Sequence, residues 1–76
     1  MLTIDTGTAA HQLEHQLHTT VEALEALQWK LTAREHAFIV RVAANASAAL
    51  GDGDTLRIER GLAELAEAAE ILSRAW

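Results

Sequence analysis

Leu31-Thr32-Ala33-Arg34-Glu35 decides whether this chain folds back on itself or runs on as one rod. Thr32 and Glu35 stand at the spacing of a capping box. In that motif the threonine hydroxyl accepts from the amide three residues on, and the glutamate carboxylate reaches back to the threonine amide. A box of this kind marks a helix start. It therefore predicts that one helix ends near Leu31 and a second begins at Ala33. None of the five residues forbids helix, so the competing reading is a single bent rod through both segments.

Working back from the break, apolar residues recur at Leu13, Leu17, Leu24, Leu27 and Leu31, with Thr20 in the remaining slot. Steps of four and three alternate, which is a heptad seam on one helix face, widened by Val21. Thr8 is a reasonable N-cap, so the first helix is expected over about 8–31. Residues 1–7 read as a flexible arm, because Leu2 and Ile4 alternate with polar residues and Gly7 interrupts them.

Working forward, Phe38, Ile39, Val42, Ala46, Ala49 and Leu50 share a face of the second helix, expected over about 33–50. Gly51 follows as a C′ residue, and Asp54 is the expected N-cap of a third helix over about 55–75. That helix carries Ile58, Leu62, Leu65, Ala69, Leu72 and Trp76 at the same alternating steps, and Glu70 and Arg74 form an i,i+4 pair. With no proline and much alanine and leucine, the fold class is all-α. The expected architecture is one domain over 8–76, a short three-helix bundle or helical hairpin completed by dimerisation.

The dimer expectation comes from size. A chain of 76 residues with no cysteine has no disulfide, and a lone core in this range seldom supplies more than roughly 3–5 kcal/mol. The two leucine seams are then expected to meet within one chain or across two copies. The absence of cysteine suits a cytoplasmic protein. No apolar run approaches the ~20 residues that span a bilayer, and no basic cluster precedes an apolar stretch as in a secretory signal. Neither membrane association nor secretion is expected. The net charge of −5, with six scattered basic residues, disfavours direct nucleic-acid binding, which depends on Lys and Arg at phosphates.

His11-Gln12-Leu13-Glu14-His15, followed by His18, matches the H-x-x-E-H pattern of inverted zinc peptidases. With Leu13 and Leu17 on the seam, His11, His15 and His18 fall on the opposite, solvent-facing side. Those enzymes also need a distant third ligand and a substrate cleft. No catalytic residue, cofactor or metal is therefore assigned, and the three histidines remain weak metal candidates. Asp52-Gly53-Asp54 fails the EF-hand register, because Leu56 and Arg57 occupy positions that need an oxygen ligand and a glycine.

Leu31 to Glu35, with the apolar run Phe38 to Val42, resembles the opening of a LuxR-type helix-turn-helix domain. The resemblance implies a DNA-associated regulator, but no second short helix or basic recognition helix follows. The Ala/Glu/Leu texture from Leu62 to Leu72 resembles the small helical co-chaperones of type III secretion needle subunits, which implies docking on a helical partner.

Trp29 lies off the first seam, just before the break. Its indole is expected to cover the corner between helices 1 and 2, beside Phe38, or to contact a partner. Trp29, Phe38, Ile71 and Trp76 are the candidate partner-binding residues, since aromatic anchors in aliphatic surroundings concentrate binding energy. The function expected is a non-enzymatic protein–protein interaction module: an adaptor, a chaperone-like subunit or an inhibitor of a partner protein, acting as a homodimer. The alternatives are a small metal-binding protein using the histidine face and a transcriptional regulator.

Overall fold

The computed structural model describes residues 6–75, with side chains from Ala9 onward. Expectations for residues 1–5 and for Trp76 lie outside the described residues. Within them the chain forms α1 (Thr6–Leu27), a single 3-10 turn (Gln28–Lys30), α2 (Ala33–Asp52) and α3 (Thr55–Ala75), and no strand. The all-α class and the three helices agree with the sequence reading.

The break at Thr32 is real. Thr32 is extended, its hydroxyl accepts from the Glu35 amide at 3.1 Å, and its own amide donates to Glu35 Oε1 at 3.0 Å. This geometry also corrects the end of α1. Leu31 is extended as well (φ −94°, ψ 148°), and the last α-helical residue is Leu27 rather than Leu31. The intervening residues tighten into the 3-10 turn that often closes a helix. At the other end α1 starts at Thr6, so Thr8 lies inside the helix and is not its N-cap, and the last two residues of the expected arm are helical.

A second correction concerns the end of α2. Gly51 is helical, and α2 continues to Asp52. The left-handed C-cap is Gly53, at φ 71°, whose amide donates to the Ala49 carbonyl at 2.9 Å. Only one glycine is needed for that conformation. Asp54 then caps α3 as expected, its Oδ1 accepting from the amides of Leu56 at 2.9 Å and Arg57 at 3.4 Å. Arg57 reaches back to the Asp52 carboxylate across the turn.

The short connections make neighbouring helices antiparallel, and α3 packs against both α1 and α2. The core divides into two clusters along the bundle. One joins Ala9 and Leu13 to Val42, Ala46, Ala49, Ile58 and Leu65. The other joins Leu27 to Ile39, Ala68 and Leu72, with Leu24, Leu31 and Ile71 packed against it. Leu17 and Leu62 flank the first cluster, and Phe38 touches both. The leucine seams of α1 and α3 are thus consumed inside one chain.

The phase of α3 differs slightly from the expected seam. Gly61, Ala68 and Leu72 are buried, whereas Ala69 is exposed. A helix packed against two neighbours buries the arc between them, so a stripe drawn for one neighbour is displaced by part of a turn. Val21, expected to widen the α1 seam, is exposed for a similar reason. The bundle is long and thin, 43 × 24 × 15 Å, with a radius of gyration of 12.8 Å. A compact domain of this length would have about 11 Å. Much side-chain surface therefore stays on the outside.

Candidate functional site

Four features of the surface could carry function, and each follows from the way the helices meet. The first is the 3-10 turn. Trp29 is 76% exposed, and the only ring contact described for it is Lys30, whose Nζ lies 5.1 Å from the ring centroid. This corrects the expectation of an indole filling the helix 1–2 corner beside Phe38. The corner is filled from inside by Leu27 and Leu31, with Phe38 drawn into the core beneath them. Those apolar groups pack the corner from the core side, and the indole stands in solvent.

The second feature is a groove between α2 and α3 of about 580 Å³. Ala37, Phe38 and Ile71 supply its apolar lining, and Arg34, Glu35, Arg41 and Glu67 supply its polar rim. Phe38 and Ile71 are both half-buried. Thus two of the expected contact residues, on different helices, come together, while Trp29 does not line the groove. Arg34, Phe38 and Arg41 fall at i, i+4 and i+7 on one face of α2. Arg34, Arg41 and Glu67 were not singled out from the sequence. The 34–38–41 spacing is the sequence signal for this stripe, and Glu67 joins it only through the packing of α3 on α2.

The third feature runs between α1 and α3. Two adjoining hollows, about 450 and 260 Å³, share Thr19, Thr20 and Ala69. Their lining is mostly small residues, including Ala23, Ala66 and Ser73. Thr20 is the one buried polar side chain described in the core.

The fourth is the histidine face. His11, Glu14, His15 and His18 line a shallow hollow of about 270 Å³, and all four are exposed. His18 Nε2 stands 3.3 Å from Glu22 Oε2, one turn on. Among the described residues no group of three or more His, Cys, Asp or Glu is placed to hold a metal ion. The buried Leu13 between His11 and His15 fixes the outward direction of these side chains. No helix among the described residues is long and apolar enough to cross a membrane. The chain matches no family model, no curated protein and no solved structure.

Proposed function

We propose that this chain is a non-enzymatic interaction module that engages another protein through its helix faces, as an adaptor, chaperone-like subunit or inhibitor. One observation carries the reading: a tryptophan held 76% exposed on a tight turn whose flanking leucines are packed. Burying an indole on a partner removes a large apolar area from water, and tryptophan is among the residues that most often dominate binding energy. The flanking Leu27 and Leu31 pack against the core and fix where the turn presents the indole. Leu56, also 76% exposed on the first turn of α3, gives the opposite end of the bundle a smaller apolar contact. The acidic balance of the chain favours a partner with a basic surface.

The test is site-specific photo-cross-linking in the source cell. A photoreactive phenylalanine at Trp29 is expected to give a discrete adduct with another polypeptide. The same probe at Ala48, exposed on α2, is expected to give none. Equal, diffuse labelling from both positions would overturn the proposal.

A further inference from the structure

We propose that His11 and His15 form a two-imidazole surface site for a late first-row divalent metal ion, of the class of nickel, copper or zinc. The site is independent of the interaction-module reading, because it lies on the outer face of α1 and Trp29 takes no part in it.

The argument begins with spacing. Both imidazoles are exposed, and they stand one turn apart on an unbroken α-helix. Four residues advance a helix by about 6 Å and about 400°, so the two side chains leave it within roughly 40° of each other. This is the spacing at which two histidines on one helix face share an ion in zinc-binding helices. Leu13, fully buried between the two histidines, fixes the rotation of α1 about its own axis. The core therefore holds the pair outward before any ion arrives.

The surroundings suit a cation. His11, Glu14, His15 and His18 line one hollow, and α1 carries no lysine or arginine. Glu14 adds a carboxylate beside the pair. His18 is a poorer partner for His15, since its Nε2 is turned to Glu22 at 3.3 Å. Three residues also leave an angle of roughly 60° between side chains, where four leave 40°.

Among the described residues no three His, Cys, Asp or Glu side chains are placed around one ion. The chain thus offers two ligands, and water completes the shell. Structural zinc sites are closed by four protein ligands. A two-ligand site instead exchanges its ion with solvent, and the fold does not depend on it. The ligand type selects the metal: imidazole suits nickel, copper and zinc, whereas magnesium and calcium take oxygen ligands.

The test is calorimetric titration of untagged, chelator-treated protein with Ni²⁺ alone, and in parallel with Mg²⁺ alone. Wild type is expected to bind one Ni²⁺ per chain and no Mg²⁺. H11A and H15A are each expected to weaken Ni²⁺ binding by roughly tenfold or more, because the second imidazole no longer acts as an intramolecular ligand. H18A is expected to stay near the wild-type affinity. All three positions are exposed and alanine favours helix, so the variants are expected to fold, which circular dichroism checks.

The spacing exists only in the folded helix, so saturating Ni²⁺ is expected to raise the wild-type Tm. The Tm of H11A and H15A is expected to move far less. A Ni²⁺ dissociation constant weaker than about 1 mM would overturn the proposal. So would H11A or H15A at wild-type affinity, an equal loss from H18A, or Mg²⁺ binding as well as Ni²⁺. Loss of the helical signal on chelator treatment would overturn it too, since a two-ligand surface site does not hold the fold.

Discussion

Leu13 lies directly across Gly61. A Cβ added at Gly61 would stand 3.2 Å from Leu13 Cδ1, 3.4 Å from Leu13 Cδ2 and 3.7 Å from the Ala46 Cα. All three helices therefore converge on one glycine of α3. Leu13 is fully buried, so its methyl groups cannot swing aside into solvent. A leucine at this position would drive α3 off both neighbours. Gly61→Leu is expected to destabilise by about 1–3 kcal/mol, the range of overpacked cores. Chemical denaturation measures this, and a change under about 0.5 kcal/mol, the range of ordinary surface substitutions, would contradict the close approach.

The two glycines at the end of α2 differ in kind. Gly51 has open space around its Cα and an ordinary helical backbone, whereas Gly53 sits at φ 71°. Gly51→Ala is expected to stabilise by about 0.5–1 kcal/mol, through helix propensity and a less free unfolded chain. Gly53→Ala is expected to cost about 1 kcal/mol, because a Cβ disfavours the left-handed region. Opposite signs in paired thermal melts are the outcome that supports Gly53 as the cap. Had Gly51 been the left-handed residue, the signs would reverse.

The break between α1 and α2 depends on a reciprocal pair of hydrogen bonds, so each half can be removed separately. Thr32→Ala deletes the acceptor for the Glu35 amide and is expected to cost about 1 kcal/mol. Thr32→Ser keeps that acceptor and is expected to lose only a few tenths, as good caps exchange with small changes. Equal losses from both variants would show that the box contributes little.

Much of this architecture is legible in the sequence because it is written in local chemistry. The Thr32–Glu35 box and the Asp54 cap each act within one turn, so spacing alone identifies them. The apolar face of α2, Ile39 to Ala49, is likewise set by period. What spacing does not give is a choice that depends on two neighbours at once. Ala68 rather than Ala69 is buried because α3 lies against both other helices, and no single-helix wheel contains that fact. Gly51 and Gly53 are both plausible caps until the backbone shows which one turns left-handed. The groove is the same kind of case: Phe38 and Ile71 stood out as apolar residues, but their juxtaposition with Arg41 and Glu67 arises only when α2 and α3 pack.

Trp29 and Leu27 give the last prediction, because they are two residues apart and differ in role. Leu27 is buried in the second core cluster, while the indole of Trp29 stands in water. Leu27→Ala is expected to cost about 2–5 kcal/mol, from lost burial and the cavity left behind. Trp29→Ala removes a larger side chain yet is expected to change stability by no more than about 1 kcal/mol, the scale of its exposed contact with Lys30. In a Trp76→Phe background, Trp29 fluorescence is expected to be red-shifted and fully open to a soluble quencher. A shielded, blue-shifted indole, or a loss of several kcal/mol with Trp29→Ala, would return this residue to the core. It would then no longer serve as the anchor on which the interaction-module reading depends.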